Sequence, residues 1–344
     1  MRSRRAAVAA LLLLLPAAAR AQDGGPGAVA AADLGSCPTA VGEAVRPCRL
    51  AYRTFGRLNA ARDNAVLVPT WYGGRSETMT FLLGADAWID TTRYFAILVD
   101  GLGFGVSSSP STSEAQPGRR FPRLTLEDMV DAQRRLVTER LSIRRLHAVV
   151  GWSMGGMQAL AWGLRYPELV DRVVSVAGTP RMGTSEMYWV RASLALLELA
   201  ERARLPRDTL ALRLAELWHT VATTPARENA LPRDSVDAAL GREAAVDWAP
   251  FDPEDNRLQL EALARFDAFR ELERSGWARR ASRPRLVLLY VPEDHVTTPE
   301  SFRTFARLAG AETVELPSAC GHLAPVCEAG AVGERVRGVL DAGR

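Results

Sequence analysis

The chain has 344 residues, 43 basic against 40 acidic side chains, and a formal net charge of +3. Hydrophobic residues make up 47% and charged residues 24%, an ordinary globular profile that excludes wholesale disorder, collagen-like repeats and a small disulfide scaffold. Every basic residue is Arg, which excludes a P-loop lysine, a Schiff-base lysine and pyridoxal-phosphate chemistry together.

In chain order, Arg2, Arg4 and Arg5 precede an apolar run over residues 6–15, and Ala19-Arg20-Ala21 fits the small-x-small cleavage rule. Residues 1–21 therefore read as a signal peptide cleaved near Ala21, with export to the periplasm or beyond. The apolar run is too short to span a bilayer, so no stable membrane anchor is expected. Removing the segment takes away four Arg and no acid. That leaves no basic excess for nucleic acid. Residues 22–45, rich in Gly and Ala, read as an irregular arm. Export makes disulfides the favoured state of Cys37, Cys48, Cys320 and Cys327. The two local pairs, Cys37–Cys48 and Cys320–Cys327, are preferred over buried free thiols. Cys320, His322 and Cys327 supply too few ligands for a closed zinc site, and His322 is better used below, so no metal is expected and no cofactor is called for.

Ordered structure is expected from Arg49. Short apolar runs at 49–55, 65–69, 94–100, 146–152, 170–177, 286–291 and 312–316 suit strands, most of them buried and parallel. Helical patterns separate several of them. The clearest covers 125–141, where Thr125 can cap, Asp128 stands three residues on, and Leu126, Met129, Val130, Val137 and Leu141 share one stripe. Strands alternating with helices predict an α/β fold with a mostly parallel sheet flanked by helices. The alternation breaks between 181 and 283, where helix formers dominate and Trp189, Trp218, Trp248 and Trp277 cluster. This stretch reads as a helical cap inserted between core segments 46–180 and 284–344. Lying over the C-terminal strand ends, it would form a lid.

Gly151-Trp152-Ser153-Met154-Gly155 is the one G-x-S-x-G of the chain. A strand run precedes it and a helical run follows. That strand–turn–helix lifts a nucleophilic serine clear of the sheet and sets it at a helix N-terminus. A serine needs a base, and the base an orienting acid. Of the four His, His147 lies within a strand, His219 within the insertion, and His295 beside an acid. His322 follows the last strand and is the expected base. Asp294 follows the strand at 286–291 and is the expected acid, with Glu293 as its competitor. The oxyanion hole should use the backbone N–H of Met154 and a second donor from the loop after residues 65–69, for which Trp71 is the candidate. The loop at 101–110 is Gly-rich but lacks a following helix start and a Lys, so it reads as a site-edge loop. Tyr72, Tyr188, Trp189, Trp248 and Leu323 are the expected pocket residues.

These residues carry a resemblance. Tyr52-x-Thr54-x-Gly56-x-Leu58-Asn59, the block Ser153-Met154-Gly155-Gly156-Met157-Gln158-Ala159, Tyr166-Pro167, Asp294 with Pro299, and Gly321-His322 together resemble the homoserine O-acetyltransferase family of α/β-hydrolases. The similarity covers about residues 48–344. It implies an α/β-hydrolase fold, a triad at Ser153, Asp294 and His322, an acyl-enzyme intermediate and often a homodimer. Two positions depart from the family. Its acetyltransferases carry an Asp directly after the catalytic His, to hold the substrate ammonium, and here that residue is Leu323. Their oxyanion loop usually reads His-Ala-Leu-Thr-Gly, and here it is Pro69-Thr70-Trp71-Tyr72-Gly73. Burying an unpaired ammonium is costly, and acetyl-CoA is a cytoplasmic donor. The expected activity is therefore an exported serine hydrolase acting on a small-molecule carboxylic or thio ester. The alternatives are an acyltransferase using the same triad and, third, a non-catalytic binding module.

Overall fold

The computed structural model describes residues 27–342; the signal-peptide reading of residues 1–21 lies outside them. Eight strands form one sheet: β1 (Ala30–Asp33), β2 (Arg49–Phe55), β3 (Ala65–Pro69), β4 (Phe95–Val99), β5 (Leu146–Trp152), β6 (Val170–Val176), β7 (Arg285–Tyr290) and β8 (Glu312–Glu315). Their order is β1-β2-β4-β3-β5-β6-β7-β8. The first two pairings, β1 with β2 and β2 with β4, are antiparallel. From β4 through β8 every pairing is parallel.

The central strands are apolar on both faces, as strands covered on both sides must be. Along β4, Phe95, Ile97 and Val99 join one core cluster, while Ala96 and Leu98 join the other. The first face is covered by α1 (Leu126–Arg135) and α2 (Met154–Arg165). Helix α1 begins with the expected capping box: Thr125 Oγ accepts from the Asp128 amide at 3.2 Å, and Asp128 Oδ2 accepts from the Thr125 amide at 2.8 Å.

Between β6 and β7 the chain is helical: α3 (Thr184–Ala203), α4 (Arg207–Ala222), α5 (Val236–Glu243), α6 (Pro253–Arg265) and α7 (Ala268–Arg274). Residues 256–274 are divided between the last two of these helices. Asp267 ends the first by capping the second, its carboxylate accepting from the amides of Phe269 and Arg270. Helices α3, α4 and α6 contribute to the wall above the strand ends. Helix α7 instead packs beside α2 and against α8 (Pro299–Ala309), where Phe269 meets Phe305. The opposite face of the sheet is covered by α9 (Ala329–Asp341), which buries Val332, Val336, Val339 and Leu340.

The arm over residues 22–45 is not irregular in its described part. Strand β1 zips onto β2 from Ala30 opposite Tyr52 to Asp33 opposite Arg49. Its Ala-Ala-Ala-Asp sequence carries no hydrophobic alternation. The pairing comes from backbone groups at the open edge of β2. Cys37 and Cys48 are disulfide-bonded beyond it, as are Cys320 and Cys327, with Cα separations of 5.7 and 6.4 Å. Among the described residues no helix is long and apolar enough to cross a membrane.

Candidate active site

Ser153 leaves β5 and caps α2 with φ 55° and ψ −125°. That backbone is unfavourable for a residue with a side chain, and it is held by its neighbours. A Cβ on Gly151 would stand 2.1 Å from the Gly155 carbonyl oxygen, and one on Gly155 would stand 2.4 Å from the Pro69 oxygen. Strand, turn and helix thus approach closely enough that only glycine fits at both places.

His322 follows β8 in a short turn, and its ring is buried. Ser153 Oγ–H donates to His322 Nε2 at 2.8 Å, and His322 Nδ1–H donates to Asp294 Oδ2 at 2.7 Å. Asp294, fully buried, lies four residues beyond β7. Its Oδ1 accepts from the amides of Val296 and Thr297, and its Oδ2 from the Thr297 hydroxyl. A carboxylate with all these donors is fixed in orientation, with Oδ2 held toward the His322 ring. Glu293 faces elsewhere, accepting from the Ser318 amide. His147 bonds to the Leu340 carbonyl, and His295 is exposed. His219 pairs with Glu243 in the cap at 2.6 Å, which raises its pKa.

Met154 opens α2, so its amide points from the helix N-terminus toward the space above Ser153. The loop after β3 is braced from two sides. Gln158 of α2 donates to the Thr70 carbonyl at 3.0 Å and accepts from Gln133 of α1 at 2.6 Å. Gln259 of α6 accepts from the Gly73 amide at 2.8 Å. Trp71 stacks obliquely on Trp152, 4.9 Å between ring centres. The Tyr72 hydroxyl donates to Asn256, and burial pushes its pKa up.

A cavity of about 20 Å³ lies against Ser153. Tyr72, Val296 and Thr297 line it from the strand ends, Met157 from α2, and Met182, Trp189, Trp218 and Leu263 from the insertion. Three expected pocket residues lie elsewhere. Tyr188 is 71% exposed: one step along a helix turns a side chain by about 100°, and its neighbour Trp189 takes the inward position. Trp248 stands behind the cavity wall, 6.3 Å from both Tyr72 and Trp218, and lines a separate space of about 10 Å³ with Phe251 and Asn256. Leu323 is half-buried against the core cluster containing Trp152. Trp218, unassigned by the sequence reading, meets the His322 ring edge-on at 5.9 Å. Nothing local marks it, since the two residues are joined only by the fold. Thr297 was missed for the same reason as Val296: both are read only once the turn after Asp294 is known.

A family model described as "alpha/beta hydrolase fold" matches residues 67–327. An ethyl acetate hydrolase of Pseudomonas veronii is 34% identical over 235 residues, covering 64% of this chain and 67% of that one. A homoserine O-acetyltransferase of Geotalea daltonii is 35% identical over 196 residues, 50% of this chain and 53% of that one. Among solved structures, the acetyl esterase MekB superposes with a TM-score of 0.83 at 27% identity, covering 92% and 97% of the two chains.

Proposed function

The chain belongs to the α/β-hydrolase fold family, an enzyme among its esterases and acyltransferases, and on that premise we propose that it is an exported serine hydrolase cleaving small carboxylic or thio esters. The observation that carries this reading is the unbroken hydrogen-bonded run from Ser153 Oγ through His322 to Asp294. Ser153 Oγ attacks the ester carbonyl while its proton passes to His322 Nε2. The oxyanion takes the amides of Met154 and Trp71. His322 then gives that proton to the departing alcohol or thiol as the carbonyl re-forms, which leaves an acyl-Ser153. A water repeats the sequence: His322 accepts its proton, and the proton returns to Ser153 as the acid leaves.

Three features support water as the acceptor and a short acyl chain. The residue after His322 is Leu323, so the base carries no adjacent carboxylate for an amino-acid ammonium. The cavity walls are almost wholly apolar, and the cavity itself is small. The Pseudomonas relative is named for the hydrolysis of a two-carbon acyl ester. Export belongs to the same proposal, and two disulfides in one chain suit an oxidising compartment.

The second reading, acyl transfer to an alcohol, is favoured by the likeness to homoserine acyltransferases. One experiment separates the two. The purified protein is given aryl acetate, butyrate and octanoate, then acetyl-CoA with and without homoserine. Hydrolysis should fall from acetate to octanoate, with no homoserine-dependent release of free CoA. Homoserine-dependent release would make the protein a transferase.

A further inference from the structure

We infer that Glu186 is a positioning residue that ties the docking of the cap to the orientation of the acid Asp294, an inference that rests on the triad reading above. Glu186 sits in the first turn of α3, the first helix of the cap, and has no exposed surface. A buried carboxylate is costly unless several donors meet it. Here three do: the Gly183 amide, the Thr298 amide at 2.7 Å and the Thr298 hydroxyl at 3.3 Å.

The first of these is local capping of α3. The other two reach 112 residues along the chain, into the segment that shapes Asp294. Thr297 and Thr298 are consecutive and are held from opposite sides. Thr297 gives its amide to Asp294 Oδ1, and its hydroxyl lies 2.7 Å from Asp294 Oδ2 and 3.2 Å from the Ala177 carbonyl. Thr298 gives both its donors to Glu186. The turn that presents Asp294 to His322 is therefore clamped on one side by the core and on the other by the cap. Burial pushes the Glu186 pKa up, and the neighbouring charge of Asp294 adds to that.

Two consequences follow. Weakening the clamp lets Asp294 wander, which lowers turnover while leaving the apolar cavity wall, and so substrate affinity, in place. The rate at which Ser153 is acylated falls together with turnover, because the base loses the orientation that Asp294 gives it. A residue that merely supported the fold would lower the amount of active protein without lowering the turnover of each folded molecule.

The test uses Glu186→Gln, which keeps the volume and one acceptor, and Glu186→Ala, with thermal unfolding to report folding. Aryl acetate hydrolysis is followed at limiting and saturating substrate, and the rate and final extent of Ser153 labelling by a fluorophosphonate are measured alongside. Glu186→Gln should lower kcat and the labelling rate about tenfold, with KM within about threefold, and Glu186→Ala should lower them further, by up to about 100-fold. Both values are expressed per folded molecule, taken from the final extent of Ser153 labelling. An unchanged kcat, a change in KM alone, or a fall in activity matched by an equal fall in the final extent of labelling would overturn the inference. If Glu186→Ala does not fold, Glu186→Gln decides alone. Ser153→Ala, run in parallel, separates the two levels. Wild-type turnover there overturns the triad reading and this inference with it, whereas an inactive Ser153→Ala beside unaffected Glu186 variants overturns this inference alone.

Discussion

The ends of the parallel strands and the cap above them solve different problems. At the strand ends close backbone contacts and buried hydrogen bonds do the positioning. Ser153 is fixed by glycine-only contacts, Asp294 by the amides of its own turn, and the loop of Trp71 by Gln158 and Gln259. In the cap large side chains do it. Trp189 and Trp218 close over Ser153 and His322 and are themselves backed by Trp248 and Phe251. Backbone constraints specify atoms to a fraction of an ångström and tolerate nothing. Packed rings specify a volume and can be resculpted. Reaction type should therefore be brittle and substrate range malleable.

The harshest way to break the first half of that contrast is at the nucleophile. Ser153→Ala and His322→Ala should each lower kcat for aryl acetate by roughly three to six orders of magnitude, and the double variant should add little, because the triad acts as a unit. Next comes the backbone that supports it. Gly155→Ala would force a methyl group to 2.4 Å from the Pro69 oxygen. Thermal unfolding should show a loss of about 2–4 kcal/mol together with loss of activity, since the contact pushes the start of α2 away from the loop after β3, the two places that the proposed function uses to hold the oxyanion.

The cap half is sharpened by enlarging the pocket. Met182→Ala should raise the butyrate-to-acetate ratio of kcat/KM about tenfold, the order expected for a small change in an apolar pocket. Activity on acetate should survive. The smallest effect concerns His219. Its pKa is raised, first by the hydrogen bond to Glu243, so its pairing stabilises the cap fully below its ordinary value near 6.5 and fades as pH rises through the raised value. Unfolding of His219→Gln should differ most from wild type in mild acid and converge with it in alkali. A difference that grows with pH would contradict the pairing.

The same division decided what could be read from the sequence. Buried strands announce themselves as apolar runs, and β3 and β5 begin and end where those runs do. Ser153, Asp294 and His322 stand where chain order and strand ends predict, and the structure brings them into contact. Strand β1 escaped because backbone pairing needs no side-chain pattern. In the cap, Tyr188 and Trp189 are adjacent aromatic residues on one helix, and no sequence signal says which faces inward. Trp218 and Glu186 act on residues more than 100 positions away, and their roles become visible only when the chain is folded.

The cavity beside Ser153 has a kinetic consequence. A site of about 20 Å³ has room for one or two water molecules, and an ester with both its acyl and alcohol parts is several times larger. An ester of that size should therefore need an outward excursion of the side chains that the cap contributes, Met182, Trp189, Trp218 and Leu263. Such excursions belong to the microsecond-to-millisecond range. If such excursions limit the proposed hydrolysis, turnover of a sufficiently reactive ester should slow as the viscosity of the medium rises, while that of a sluggish ester should not.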